Sequence, residues 1–243
     1  MRALLAKEIS EFFSTVTGYV VVSVFLLANS LFLWIFPGDT NVLDSGYASL
    51  DTFFMMAPWI FLFLVPAVTM RSFAEEGRSG TLELLFTRPL TDLQIVLGKY
   101  FAGVLLVLVS LLPTLVYVVS VYLLGSPPGN LDLGGIWGSY IGLFFLALIY
   151  VAIGIFASSL TDNPIVAFII AVLMSFILYI GFDFLSSMEA FREINFLVIK
   201  MGINEHYKSM SRGVIDSRDI LYFLGVITLF ILMTKFVLQS RRW

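Results

Sequence analysis

Glu75, Glu76, Arg78, Glu83, Arg88, Asp92 and Lys99 crowd into one stretch, EEGRSGTLELLFTRPLTDLQIVLGK, of a 243-residue chain that is 59% hydrophobic and only 13% charged. Charges interleaved with leucines suit being gripped, by lipid headgroups or by another protein, rather than making and breaking bonds. Little else in the chain reacts. There is no cysteine, so disulfides, thiol nucleophiles and thiolate metal sites are excluded. The single histidine, His206, lies in NEHYK beside one carboxylate, far short of a ligand set or of an H-E-x-x-H helix, and its expected place is interfacial or on the surface. No catalytic residue, metal ligand or nucleic-acid-binding basic tract is assigned.

Local signals define the elements that position this stretch. Gly80 reads as an N-cap with Glu83 at the third helical position, so a short helix is expected from about Thr81, with Leu82, Leu85 and Phe86 on one face. Arg88 precedes Pro89 and is biased out of the α region, which limits that helix to roughly seven residues. Thr91 and Gln94 then read as a T-x-x-Q capping box and Leu90 with Ile95 as a hydrophobic staple. Asp92 complements the dipole of the long helix that follows.

Mean hydropathy is +0.97. Six charge-poor runs, at about residues 15–36, 53–70, 96–124, 136–160, 164–182 and 220–238, each approach the ~20 residues needed to cross a bilayer core. Backbone groups in hydrocarbon must be bonded internally, so these runs are helices, and none alternates like a barrel strand. The expected fold is therefore all-α, one polytopic membrane domain over residues 1–243. It has six transmembrane helices, a short cytoplasmic coupling helix between spans two and three, and short external re-entrant or interfacial helices before span six. In that external segment Ser186 and Glu189 read as a capping box. Phe191, Ile194, Leu197 and Met201 mark one helix face, Gly202 is its stop, and a second short helix is expected at about 205–212. The amino-terminal apolar run reads as a retained first span rather than a cleaved signal.

Arg2 and Lys7, then Arg71, Arg78, Arg88 and Lys99, then Lys235, Arg241 and Arg242 share one side in this scheme, which places both termini in the cytoplasm. The connections at 37–52 and 125–135 carry Asp39, Asp44, Asp51 and Asp132 but no lysine or arginine, as external loops should. The segment 184–219 disagrees, because it holds Arg192, Lys200, Lys208, Arg212 and Arg218 and yet falls outside. A re-entrant run at 164–182 would bring these inside; its length and lack of charge favour a full crossing.

No Asp, Glu, Lys, Arg or His stands at the centre of a span, which weakens an ion-coupled transport reading. Asp183 and Lys235 sit near span ends, where solvated or snorkelling roles are expected. Gly134, Gly138 and Gly142 form a small-residue stripe suited either to helix packing within the chain or to a subunit interface. Pro58, Pro66 and Pro113 read as kinks repaired by neighbouring helices.

The stretch EEGRSGTLELLFTRPLTDLQIVLGKY is similar to E-x-G-T-L-E-x-L-L-x-x-P-x-x-x-x-x-I-x-x-G-K, the pattern after the second span of type-2 ABC export permeases. The matching residues are Glu76, Gly80, Thr81, Leu82, Glu83, Leu84, Leu85, Pro89, Ile95, Gly98 and Lys99, with Arg78 and Ser79 inserted. SSLTDNPIVAFII resembles the family's short connection between spans four and five, with Asn163 as N-cap and Pro164 at the first helical position. Within the family the chain looks most like the permeases of gliding-motility systems, chiefly through MRALLAKEISEFFSTVTGYVV and EEGRSGTLELLFTRPL.

The resemblance implies that Glu75, Glu76, Arg78, Gly80, Thr81, Leu82, Glu83, Leu85 and Phe86 couple the membrane domain to a separate cytosolic ABC ATPase subunit, in two copies. That subunit would hold ATP and Mg. This chain lacks a G-x-x-x-x-G-K-[ST] loop, carries no cofactor and is not expected to be an enzyme by itself. The resemblance also implies a second membrane subunit with a large periplasmic domain, or a second copy of this chain, in the bacterial inner membrane, exporting cargo or transmitting force. The residues alone leave two alternatives, an ion-coupled secondary transporter or channel and a non-transporting membrane scaffold.

Overall fold

The computed structural model describes residues 2–83, 87 and 89–241. Six helical runs among them are long and apolar enough to cross a bilayer: Val16–Ile35, Asp51–Arg78, Asp92–Leu124, Leu133–Leu160, Pro164–Ser187 and Ser217–Ser240. The protein is an all-helical polytopic membrane protein. Span one is α2 (Val16–Ser30) continued by a wide turn at Leu31–Ile35. Span two comprises α3 (Asp51–Thr69) and α4 (Arg71–Arg78), and span three α5 (Asp92–Leu111) and α6 (Leu115–Leu124), joined by a tight turn at Pro113. Span four is α7 (Leu133–Leu160). Span five is α8 (Pro164–Phe176) with α9 (Phe182–Ser187). Two short helices, α10 (Asn195–Met201) and α11 (Ile203–Ser211), precede span six, α12 (Ser217–Ser240).

α7 is the axis of the bundle. Apolar around its whole circumference and buried along most of its length, it packs against α3, α5, α8, α11 and α12, which is why it lacks a polar face.

Span one is preceded by a further helix that the sequence reading did not include, α1 (Arg2–Ser14). It lies against α5, where Gly98 makes room: a Cβ there would stand 3.0 Å from Leu4 Cδ2.

At two points of span two a hydroxyl from another element completes the backbone. Pro58 supplies no N–H to the carbonyl of Phe54 one turn earlier, and the Tyr207 hydroxyl on α11 donates to that oxygen instead (2.7 Å). The second point is the break between α3 and α4 at Met70, described below. The Tyr207 bond holds α11 at the start of span two, on the face opposite both termini. Pro164–Ser187 is a crossing helix, so the basic segment before span six lies on that opposite face. Part of its charge is locally balanced, with Lys208 Nζ 3.8 Å from Asp183. Ser186 does not cap a helix as expected: it lies inside α9, and its hydroxyl bonds back to the Asp183 carbonyl (2.7 Å).

Gly138 and Gly142 of the α7 stripe face inward at this end, while Gly134 is exposed. A Cβ on Gly138 would collide with the Met210 carbonyl, one on Gly142 would stand 3.2 Å from Tyr207 Cδ2, and Gly134 abuts Gly213. The sidedness is directly measurable. Single cysteines at Ser126 and Ser217 are expected to react with an impermeant thiol reagent from one side of sealed membranes, and one at Ser79 only from the other. Labelling of Ser217 and Ser79 from the same side would refute a crossing fifth span.

Candidate functional site

The face carrying both termini gathers α1, α4, the connection to α5, the turn between spans four and five, and the end of α12. α4 ends at Arg78 in a Schellman motif. Gly80 is left-handed (φ +69), Thr81 N donates to the Glu76 carbonyl (3.0 Å) and Gly80 N to that of Gly77 (3.2 Å). Gly80 therefore closes the helix before it rather than capping the next one, a correction to the sequence reading with a plain cause: a positive φ is the conformation of a C′ glycine. The next helical turn starts at Leu82, and Thr87 N donates to the Glu83 carbonyl (3.2 Å). Leu85 and Phe86, expected on its contact face, lie outside the described residues, as does Arg88. Beyond Pro89 the expected capping box is formed, with Gln94 N to Thr91 Oγ1 at 3.3 Å and Thr91 N to Gln94 Oε1 at 3.1 Å.

The expected coupling residues divide into two groups. Glu75, Arg78, Thr81 and Glu83 are exposed, with Glu75 only loosely paired to Arg71 (3.8 Å). Leu82 and Glu76 turn inward. Leu82 is buried in the chain's own core. Glu76 joins a charge cluster that sequence inspection missed: Lys99 Nζ donates to both Glu8 Oε1 and Glu76 Oε1 at 2.9 Å. Lys99 is 3% exposed and Glu8 7%. Burial of Lys7 works against its charged form, yet Glu8, Glu76 and Glu11 around it outweigh that and raise its pKa above 10.5. Its contribution is thus fully present at neutral pH and fades only above the ordinary lysine range. The cluster ties α1, α4 and α5 into one body.

A single hydroxyl forms the joint between α3 and α4. Ser158 Oγ, at the end of α7, accepts from Phe73 N (2.9 Å) and Ala74 N (3.0 Å) and donates to the Met70 carbonyl (2.9 Å). It supplies to the interrupted span the bonds that a continuous helix would have made itself. One turn further, Gly77 lies so close to Asp162 that a Cβ would overlap its carboxylate, and Asp162 in turn accepts from Arg241 Nη1 (2.6 Å) at the end of α12. α4 is thus in contact with spans three and four, and through Asp162 with the end of span six.

On the opposite face His206 is not a plain surface residue. Its ring stacks on Tyr222 (centroids 3.9 Å apart), with Nδ1 2.7 Å from Asp219 and Nε2 2.9 Å from the Lys200 carbonyl. That carbonyl can only accept, so the ring donates to it through Nε2. The ring is a clasp between α10, α11 and α12. Among the described residues no group of three or more metal-ligating side chains comes together.

No curated protein matches the chain. The family model described as ABC-2 family transporter protein matches residues 35–201, more than half of the chain and the part that includes spans two to five, the charged stretch between spans two and three, and α10. This protein is a member of the ABC-2 transporter family, a transmembrane permease subunit of the kind that works with an ABC ATPase.

Proposed function

We propose that the chain receives an ABC ATPase on Thr81 and Glu83, the exposed residues of the turn after α4, and passes the ATPase's movement through α4 into the bundle. In this reading that face is cytoplasmic, the membrane is the bacterial inner membrane, and the ATPase is present in two copies, holding ATP and Mg. The other half of the pathway is a second membrane subunit with a large periplasmic domain or a second copy of this chain. Such a complex would export cargo or transmit force, and the gliding-motility permeases are the subgroup the sequence most resembles.

One observation carries the reading. Thr81 and Glu83 are exposed directly after α4, and α4 is anchored to the bundle by Glu76–Lys99. An exposed handle on a rigid support transmits displacement; a floppy loop would absorb it.

Because the chain has no cysteine, the docking is testable with single replacements. Glu83→Cys should form a crosslink to the co-expressed ATPase with a short bifunctional thiol reagent, while Tyr47→Cys, exposed on the opposite face, should form none. Equal crosslinking at both positions, or at neither, sinks the assignment. Glu83→Gln separates docking from coupling. Loss of one exposed charge contributes only about 0–1 kcal/mol to assembly, so co-purification should persist. A charge that meets its partner in only one nucleotide state shifts the balance between states, about tenfold for ~1.4 kcal/mol, so the ATPase rate should change. Co-purification and ATPase rate falling together would make Glu83 an ordinary docking contact. Leu82 is unsuitable for such a test, since a charge there would disturb the chain's own core.

A further inference from the structure

Between α1 and α4 lies an open cavity of about 920 Å³. At one end it is lined by Thr15, Thr17 and Val68, where span one begins and α3 ends; at the other it reaches Ser79, Thr81 and Pro89. It therefore occupies the depth at which apolar spans give way to charge, the headgroup layer of the adjoining leaflet.

The walls carry both signs. Lys7 and Glu11 stand on α1, Arg71 and Glu75 on α4, and all four side chains are more than half exposed. Their pairs are loose: Lys7 stands 3.7 Å from Glu11, 3.7 Å from Glu76 and 3.8 Å from Glu8, and Arg71 3.8 Å from Glu75, all beyond hydrogen-bond length. Both cations thus keep donors, and both carboxylates keep acceptors, for something else. The floor differs, since Lys99, Glu8 and Glu76 are engaged with one another at 2.9 Å. Phe12 and Val68 add apolar surface at the membrane end, and Val16, Tyr19 and Val20 beside that end are exposed toward the bilayer.

We propose that this cavity binds the headgroup of a phosphatidylethanolamine-type lipid, with its phosphate on Lys7 and Arg71, its ammonium on Glu11 and Glu75, and its glycerol end against Phe12 and Val68. The lining selects the class. Three cations (Lys7, Arg71, Lys99) against four carboxylates (Glu8, Glu11, Glu75, Glu76) leave one negative charge in excess. An anionic headgroup enters against that field, whereas a zwitterion satisfies both signs. A primary ammonium donates hydrogen bonds to carboxylates, and a quaternary one has none to donate. The site does not depend on the ATPase reading.

The test uses the purified full-length chain in detergent, followed by native mass spectrometry, with phosphatidylethanolamine, phosphatidylglycerol and inorganic phosphate titrated in separate arms. Phosphatidylethanolamine should be retained about tenfold more tightly than phosphatidylglycerol, and inorganic phosphate not at all. The double variant Lys7→Gln, Arg71→Gln should lose about tenfold in phosphatidylethanolamine affinity, and Glu11→Gln, Glu75→Gln should lose the preference for it. Equal retention of the two lipids, or affinities unchanged in both double variants, overturns the proposal as general annular lipid. Phosphate binding as tightly as the lipid overturns it as a free-anion site. Thermal unfolding without lipid checks that the variants fold, and should one fail, the comparison of the two lipids on the unmodified chain decides alone.

Discussion

Lys99→Met is expected to cost about 3–5 kcal/mol of stability and to release α1 from the bundle, because it leaves two inward-turned carboxylates with only the exposed Lys7, 3.7–3.8 Å away, as counter-ion. Lys99 Nζ stands 2.9 Å from both Glu8 and Glu76, and Glu76 Oε2 is already buried without a hydrogen-bond partner. Methionine fills much of the lysine's volume, so the loss is one of charge rather than of packing. Thermal unfolding of the purified chain measures the cost, and limited proteolysis between α1 and α2 reports the release. Adding Glu8→Leu should recover most of the stability, since the most buried carboxylate is then gone and Glu76, 17% exposed, can rehydrate. A single variant as stable as the unmodified chain, with α1 still protected, would show that the cluster does not hold α1 in place.

Ser158→Ala is expected to cost about 2–4 kcal/mol, large for the loss of one oxygen, because that oxygen completes three backbone groups at once. Phe73 N, Ala74 N and the Met70 carbonyl would be left unpaired in a buried joint where Ser158 itself is 0% exposed. The neighbour is the control. Ser159 Oγ bonds only to the Phe156 carbonyl of its own helix, so Ser159→Ala should change stability by less than about 1 kcal/mol. Hydrogen exchange at the amides of Phe73 and Ala74 should quicken in the first variant alone. If the proposed coupling is right, the first variant should also weaken the response of ATPase rate to the permease. Equal costs for the two substitutions would mean that the α3–α4 joint is held by packing and not by this hydroxyl.

The parts that were legible in the sequence are those whose cause is local. Each spanning run is long and apolar enough to decide its own environment, so all six were visible. The Thr91–Gln94 box and the Asn163 cap, whose Oδ1 accepts from Ile165 N (3.0 Å), need only three or four consecutive residues, and both formed where expected. The reading failed where two local signals compete. Gly80 can start a helix or end one, and only the helix already running from Arg71 decides for the end. Ser186 likewise had a helix of its own to bond back to.

The amino-acid sequence by itself determined the class of protein, the number of crossings, the caps and the stretch that stands out for its charge. It could not determine which of those charges face a partner. That was decided by contacts between residues far apart in the chain: Glu8 with Lys99, Gly77 with Asp162, Ser158 with the break at Met70, Tyr207 with Phe54. The reason is physical. A helix in a bilayer is stable through its own hydrogen bonds and its own hydrophobicity, which are local sums, whereas the burial of a lysine or an unpaired carbonyl is tolerable only where another segment brings the matching group. Glu76 and Glu83 lie seven residues apart with the same side chain, and only the arrival of α1 and Lys99 turned the first into an internal brace and left the second exposed.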